Sequence, residues 1–180
     1  PKTVRRQRQM CIRDSLNSLT KWVQDQFDTR LNWDDVKRIK DWWGGKLIIK
    51  GIMDPDDAKM AQKCGADALV VSNHGGRQLD GVNSSISTLP EIKKAVSNME
   101  VLMDGGISSG QDILKAIAMG AEGVMIGRSF VYGLSAGGKE GVTKSLEILN
   151  KELDMTMALC GRRDIKAVSY THLRAHETSG

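Results

Sequence analysis

The sequence predicts an α/β fold built on a parallel sheet, and three observations support this class. From Leu16 to about Ala167, short β-rich runs alternate with helical patterns, as in βαβ units. The run at 68–72 is apolar up to its final serine, as expected of a strand buried on both faces. Stretches 61–71 and 116–126 share one pattern: a helix end, a Gly-Ala turn, an acidic residue and an apolar strand. We therefore expect repeated β/α units.

The first elements carry clear start and stop signals. Asn32 is a candidate N-cap ahead of two aspartates, whose charge suits a helix N-terminus, and Gly44 ends this helix. A strand is expected over 46–50. Asp54-Pro55 then predicts an N-cap followed by proline at the first helical position, with a helix that runs to Gly65.

The later elements follow the same alternation. A long glycine-rich loop is expected from His74 to about Leu89, and Pro90 is expected to open the helix after it. The remaining elements are a strand at 100–103, a capping box at Ser109–Asp112 that starts a helix, a strand at 123–126, and a helical region to about Gly161 with a break near 136–138.

Repeated β/α units fit either a (β/α) barrel or an open doubly wound sheet. Only four strands are predicted, and four cannot close a barrel that takes eight. Either the sheet is open or the chain is incomplete.

Composition limits the class of protein. Apolar residues make up 40% and charged residues 27% of the 180 residues, typical of a soluble globular domain. No apolar run reaches the ~20 residues of a membrane span, and no signal-peptide core is visible. The three cysteines lack the spacing of a metal site, so we expect no metal and a reducing, cytoplasmic setting.

The two ends resemble translated sequencing adapters. The stretch Arg5–Ser15 back-translates to the forward adapter of a transposase-based library, and Val168–Thr178 to the reverse complement of its partner. We therefore expect residues 1–15 and 168–180 to be adapter-derived and residues 16–167 to be the native segment. Five arginines and two carboxylates of these stretches account for three of the four net positive charges, so the basic balance does not indicate a nucleic-acid partner.

The loop after the second strand is the most informative segment for chemistry. Loops at the carboxyl ends of strands build the site in α/β folds. His74 follows that strand closely, and an imidazole suits a general base because it titrates near neutrality. Arg77 can hold a carboxylate with two parallel hydrogen bonds. A loop histidine beside a solvated arginine is the structural alternative, which the flanking glycines and the strand end disfavour.

Two further strand ends carry glycines and charge. Asp104-Gly105-Gly106 and Gly127-Arg128 end consecutive strands, and glycine lets backbone N–H groups approach a ligand. The loops after the last two strands of a barrel, with a helix N-terminus, are a common phosphate site. Lys50, at the end of the apolar first strand, is either a cation near a ligand or a lysine that reaches solvent.

Four strings carry a resemblance to a known family: LIIKGI, VVSNHGGRQLD, MDGGISSGQDILKAIAMGA and MIGRSFVYG. Together they resemble the FMN-dependent α-hydroxy-acid dehydrogenases and oxidases, over about 31–167. The resemblance implies the C-terminal half of a (β/α)8 TIM barrel, the last four β/α units, with FMN as cofactor. It implies that the full-length parent oxidises a small L-2-hydroxy acid, L-lactate foremost, to the 2-oxo acid.

The resemblance also implies roles for individual residues. His74 matches the base that takes a proton from the substrate, Arg77 the arginine that holds its carboxylate, and Lys50 the lysine near the flavin N1 and O2 atoms. Ser72 matches a residue of the rim beside FMN. The ribityl-phosphate contacts are expected at Asp104, Gly105, Gly106, Ser108, Gly127 and Arg128.

The sequence departs from the family pattern in two ways. Ser108 stands where the family usually carries an arginine directed at the phosphate, so weaker cofactor binding is expected. The residues that the family's first four strands contribute have no counterpart, so this chain alone is expected to be inactive. The alternatives are a half-barrel that binds FMN or phosphate without catalysis, and a barrel of the isopentenyl-diphosphate isomerase kind, which the His-Gly-Gly-Arg string disfavours.

The resemblance leaves the electron acceptor open among a quinone, a cytochrome and oxygen. It implies a homo-oligomer for the full-length protein, located in the cytoplasm or peripherally on the inner membrane face. A small-molecule 2-hydroxy acid is the expected partner.

Overall fold

The computed structural model describes Trp22 and residues 30–174. The strands are β1 (Ile48–Ile52), β2 (Ala68–Val71), β3 (Glu100–Met103) and β4 (Gly123–Val124). The α-helices are α1 (Trp33–Trp43), α2 (Pro55–Lys63), α3 (Ser85–Ala95), α4 (Gly110–Ala118), α5 (Arg128–Leu159) and α6 (Thr171–Arg174). Single 3-10 turns lie at His74–Gly76 and Ile165–Ala167.

The four strands form one parallel sheet in the order β1-β2-β3-β4. Lys50 is in register with Val70, and Val71 with Met103. Because all four strands run in one direction, their carboxyl ends meet at the same edge of the sheet. The prediction of a half-barrel of four β/α units is confirmed, and this edge gathers the loops that the sequence assigned to the site.

Three helices begin where the sequence predicts. The Asn32 side chain accepts hydrogen bonds from the N–H groups of the first turn of α1, and Asp54 caps α2 ahead of Pro55. Ser109 and Asp112 form the predicted capping box of α4. Each cap satisfies N–H groups that have no partner within their own helix.

The start of α3 differs from the prediction. The helix begins at Ser85, capped by the Ser84 side chain, so Pro90 lies inside it and does not open it. Thr88 Oγ1 donates hydrogen bonds to the carbonyls of Ser84 and Ser85. Leu89 is fully buried beside the proline. The cap and this burial offset the hydrogen bond that proline removes from the helix.

The first strand also differs from the prediction, because Lys50 does not end it. The strand continues to Ile52 through an irregularity in register between Lys50 and Ile52. Gly51 makes this possible with a φ of 99°, a conformation that residues with a side chain rarely adopt. The fourth strand is shorter than predicted, although the Met125 N–H still donates to the Met103 carbonyl over 2.9 Å.

The core lies between the sheet and the helices packed against it. All four residues of β2 are buried, as predicted for a strand covered on both sides. Leu69, Val101, Leu89 and Ile92 have no solvent exposure and pack in one cluster. Burial of such aliphatic side chains stabilises the fold by about 1.5–3 kcal/mol each.

Helix α5 contains the predicted break. Gly137 and Gly138 have non-helical backbone angles, and the segments on either side approach each other closely. A Cβ atom at Gly141 would lie 1.9 Å from the Gly133 carbonyl oxygen, and one at Gly133 would lie 2.3 Å from Ser145 Oγ. This contact between the two segments therefore requires glycine at both positions.

The predicted adapter origin of the ends stays a prediction. Residues 1–15 lie outside the described part of the chain, as do 175–180. Val168 is buried in a small cluster with Leu114, Ala118 and Met157. Over the described residues, no helix is both long and apolar enough to cross a membrane.

Candidate functional site

An open cleft of about 820 Å³ lies at the carboxyl edge of the sheet. It is lined by residues from three loops: the one after β2, the one after β3 and the one that leads from β4 into α5. The predicted residues that line it are Arg77, Asp104, Gly105, Gly106, Ser108, Gly127 and Arg128. Met125, Ser129 and Tyr132 also line the cleft and were not singled out from the sequence.

Lys50 and Ser72 do not line the cleft, but Lys50 contacts Asp104, which does. Lys50 Nζ lies 2.8 Å from Asp104 Oδ2 and donates a hydrogen bond of 2.9 Å to Ser72 Oγ. Ser72 is only 1% exposed. One ammonium group thus joins β1 to the residues that directly follow β2 and β3. Sequence separation hides this arrangement, because Lys50 and Asp104 belong to different β/α units.

Asp104 carries an unused acceptor. Its Oδ1 is buried and, among the described residues, has no hydrogen-bond partner. Such an oxygen is costly to leave unpaired, by about 1–3 kcal/mol, and a ligand hydroxyl would satisfy it. The polyhydroxylated chain of a ribityl phosphate provides such hydroxyls, so the residues present fit FMN at this point.

His74 has an unusual backbone conformation for a residue with a side chain. Its φ is 54°, in the left-handed region, and Gly75 and Gly76 follow with φ values of 68° and 71°. The His74 N–H donates to Ser72 Oγ over 3.1 Å. The imidazole lies against β1, since a Cβ atom at Gly51 would come within 2.6 Å of His74 Cε1.

Asn73 and Ser85 also shape this loop, and the sequence reasoning did not single them out. The Asn73 N–H donates to Ser85 Oγ over 3.2 Å, and Asn73 Oδ1 accepts from the Gly75 N–H over 3.0 Å. An asparagine two residues before a glycine is a recognisable turn signal. The role of Ser85 has no such signal, because its partner lies in a different element.

Ser108 and Ser109 surround one carboxylate at the start of α4. The N–H and hydroxyl groups of both serines donate to Asp112 Oδ2 over 2.9–3.1 Å. Burial alone would raise the pKa of Asp112, but these hydrogen bonds lower it overall. Asp112 therefore stays ionised and accepts the hydrogen bond of the Ser108 hydroxyl. That hydroxyl was predicted to contact a phosphate instead.

The N-terminus of α5 opens onto the cleft. Gly127 precedes the helix and forms no side-chain cap, so N–H groups of the first turn keep hydrogen-bonding capacity. Arg128 is the first residue of the helix, is exposed, and lines the cleft. A helix N-terminus beside a cation attracts an anion such as a phosphate.

The structure therefore brings the predicted residues to one edge, in two adjoining groups. The first holds Lys50, Ser72 and His74 against the ends of β1 and β2. The second is the cleft itself, and Asp104 belongs to both. Within the described residues, no group of three or more histidine, cysteine, aspartate or glutamate side chains could hold a metal ion.

A parallel sheet of consecutive β/α units, with a cationic helix N-terminus at its carboxyl edge, places the chain in the class of α/β-barrel proteins with a phosphate site. Comparison with known families is more specific. The model of the FMN-dependent dehydrogenase family matches residues 2–175, and the chain belongs to that family.

Curated relatives include bacterial L-lactate dehydrogenases. That of Caulobacter vibrioides (strain NA1000 / CB15N) is 50% identical over 153 residues, which cover 84% of this chain and 40% of the relative. That of Serratia proteamaculans (strain 568) is 47% identical over 156 residues, covering 86% of this chain and 41% of the relative. The chain thus spans about 40% of the length of these relatives.

Solved structures show the same fold. A crystal structure of the monotopic membrane protein (S)-mandelate dehydrogenase matches with a TM-score of 0.80 and 38% identity, covering 88% of this chain and 42% of that one. A mandelate oxidase variant with the monooxide FMN adduct matches with a TM-score of 0.74 and 43% identity, covering 77% and 44%. These similarities confirm the predicted family, fold and cofactor class.

Proposed function

We propose that the whole protein oxidises a small L-2-hydroxy acid, L-lactate, to the 2-oxo acid, with FMN as the first electron acceptor. One observation carries this proposal. The His74 imidazole lies on Gly51 beside the Lys50–Ser72–Asp104 cluster, in a chain that is 50% identical to an L-lactate dehydrogenase. A base therefore adjoins a group of cation and hydrogen-bonding side chains at the edge where the cofactor is expected.

The chain's own residues would hold FMN at two points. Gly127 and Arg128, with the first turn of α5, suit the phosphate, because they offer N–H donors and a positive charge. Asp104 Oδ1 suits a hydroxyl of the ribityl chain. Lys50 would then stabilise negative charge on the ring. When bound, FMN accepts the two electrons that leave the substrate α-carbon.

His74 and Arg77 would act on the substrate. Arg77 lines the cleft and is exposed, and its guanidinium can hold a carboxylate with two parallel hydrogen bonds. His74 would accept a proton from the substrate as the C–O single bond becomes a carbonyl. Two electrons and two protons leave the hydroxy acid in total.

The partners of the whole protein are part of the proposal. The electron acceptor that reoxidises FMN is a quinone, a cytochrome or oxygen, and the full-length protein forms a homo-oligomer. It resides in the cytoplasm or on the inner membrane face. Attachment to a membrane surface is compatible with the similarity to a monotopic membrane protein.

The test uses the full-length protein purified with FMN. Mixed anaerobically with L-lactate, its yellow flavin absorbance should bleach, and pyruvate should appear in equal amount. His74→Ala should abolish bleaching while FMN stays bound. Val82→Ala, in the same loop and partly exposed, is the matched control and should bleach normally.

Three outcomes would contradict the proposal. If His74→Ala bleaches at the wild-type rate, His74 is not the base. If the wild-type protein binds FMN but none of the small L-2-hydroxy acids tested bleaches it, the non-catalytic binding alternative is correct. A whole protein that binds no FMN would overturn both functions.

A further inference from the structure

We propose that Asn73 and Ser85 are positioning residues that hold the backbone of His74 in its left-handed conformation. We call the pair and its hydrogen bonds the Asn73–Ser85 clasp. This inference rests on the proposed function, because His74 needs to be positioned only if it acts as the base.

The described residues hold His74 through its backbone and through contact with Gly51. Among them, no hydrogen bond reaches the imidazole, and a Cβ atom at Gly51 would lie 2.6 Å from His74 Cε1. The backbone has a φ of 54°, in the left-handed region that few residues other than glycine adopt. The Ser72 hydroxyl accepts the His74 N–H, which fixes one side of the residue.

Asn73 fixes the other side through both of its polar groups. Its Oδ1 accepts the Gly75 N–H over 3.0 Å, and its Nδ2 donates to the Asn83 carbonyl over 3.4 Å. The first bond closes a turn around His74. The second joins the beginning of the loop to its end, ten residues later in the chain.

Ser85 anchors this turn to the core. It is the first residue of α3 and only 3% exposed, and its Oγ accepts the Asn73 N–H over 3.2 Å. The Gly105 backbone packs against both residues of the clasp. A Cβ atom at Gly105 would lie 3.1 Å from Ser85 Oγ and 3.4 Å from Asn73 Oδ1. The clasp therefore connects the His74 turn to the loop after β3.

The experiment compares variants of the full-length protein with FMN bound. Asn73→Ala removes both side-chain bonds and should lower kcat about 10–100-fold, because small displacements of a catalytic group have effects of this size. KM for L-lactate and the Kd for FMN should change little, since the substrate carboxylate and FMN phosphate have other partners. Asn73→Asp keeps the acceptor for the Gly75 N–H and should recover most of kcat at the pH optimum of each variant.

Asn83→Ala is the matched control. Asn83 contributes only its main-chain carbonyl to the clasp, and its own side chain is exposed, so kcat should be unchanged. Ser85→Ala should also lower kcat. The double variant Asn73→Ala/Ser85→Ala should be no slower than Asn73→Ala alone, because the two residues act as one unit.

A crystal structure of Asn73→Ala provides a readout that does not depend on activity. We expect the φ of His74 to leave the left-handed region and the imidazole to move off Gly51. If the wild-type protein oxidises L-lactate and Asn73→Ala keeps kcat within about twofold, the clasp is not a positioning device, although the proposed function stands. If the wild-type protein is inactive, the proposed function fails. An unchanged His74 φ in the variant then overturns the clasp independently.

Discussion

Asp67 and Glu122 occupy the same position in the two copies of the internal repeat and share two kinds of bond. Asp67 Oδ2 accepts the Leu47 N–H over 2.9 Å, and Glu122 Oε2 accepts the Val101 N–H over 2.7 Å. Each carboxylate also pairs with a lysine. Asp67 pairs with Lys40 of α1, the helix before β1, and Glu122 pairs with Lys93 of α3, the helix before β3. Each repeat thus ties a helix and two strands together through one acidic side chain.

This arrangement predicts how stability changes with pH. Hydrogen bonds from Lys40 and Lys46 hold the pKa of Asp67 well below its ordinary value of 3.8. The folded state therefore binds a proton less readily than the unfolded state, and Asp67 contributes stability above about pH 4. Asp67→Asn should be less stable than wild type at about pH 7. The difference should shrink as the pH falls below 3.8, and urea unfolding at about pH 7 and pH 3 measures it.

Glu91→Gln is the control for Asp67→Asn. It removes the same charge from an exposed position in α3, so its effect at neutral pH should be small. A difference between Asp67→Asn and wild type that stays constant from pH 7 to 3 would show that the ionised Asp67 does not stabilise the fold.

We predict that a side chain at position 51 would displace the imidazole of His74, the proposed base. Gly51→Ala would bring its Cβ within 2.6 Å of His74 Cε1, at a φ of 99°. We expect a lower unfolding free energy, by more than about 1 kcal/mol, and a loss of kcat in the full-length protein. Gly44 has a φ of 63°, and no atom of the described residues other than its chain neighbours lies within 4 Å of a Cβ atom there. Gly44→Ala should lose similar stability but keep kcat. Equal kcat in both variants would contradict a role for this contact.

We predict that removing the charge of Lys50 lowers both the stability of the fold and the affinity for FMN. Lys50→Met leaves the carboxylate of Asp104, whose side chain is only 19% exposed, without its ionic partner. We expect a loss of about 1–3 kcal/mol in unfolding free energy, and FMN binding about tenfold weaker by fluorescence titration. Lys59→Met breaks the exposed pair with Asp56 and should change stability by less than about 1 kcal/mol. Unchanged FMN affinity in Lys50→Met would remove Lys50 from the site.

We predict that a cation at position 108 increases the affinity for FMN. The position lines the cleft, and Ser108→Arg would add a charge there. We expect FMN to bind several-fold more tightly at low salt, with the gain lost at high salt because screening weakens charge pairs. Ser108→Gln supplies length without charge and should show no such gain. If Asp112 captures the new arginine instead, affinity will not rise, and the crystal structure would show that pair.

We predict that α5 requires a residue without a side chain at position 141. A Cβ atom there would overlap the Gly133 carbonyl oxygen, at 1.9 Å, so Gly141→Ala must separate the two segments of the helix. We expect a loss of about 1–3 kcal/mol by urea unfolding. Gly137→Ala is the control, because among the described residues no atom beyond its chain neighbours and the backbone of its own helix lies within 4 Å of its Cβ position, and its φ is −153°. Equal stability of the two variants would contradict the close contact.

Much of the fold was predictable because its signals are local. The caps Asn32, Asp54 and Ser109 each bond to N–H groups within three residues along the chain. The repeated Gly-Ala-acid-strand pattern predicted parallel strands. The error at Pro90 has the same origin, since proline is a strong local signal, whereas the preference for a start at Ser85 came from a cap combined with the burial of Leu89.

The sequence by itself determined the family, the parallel half-barrel, and which residues would gather at its carboxyl edge. It did so because strand ends and glycine-rich loops can be recognised without knowing their neighbours. Only the tertiary structure decided which of these residues touch. The Lys50–Asp104 pair, the contact of His74 with Gly51 and the bond from Asn73 to Ser85 each cross between elements. Such distances depend on strand register and helix packing, and neither is visible in the chemistry of one residue alone.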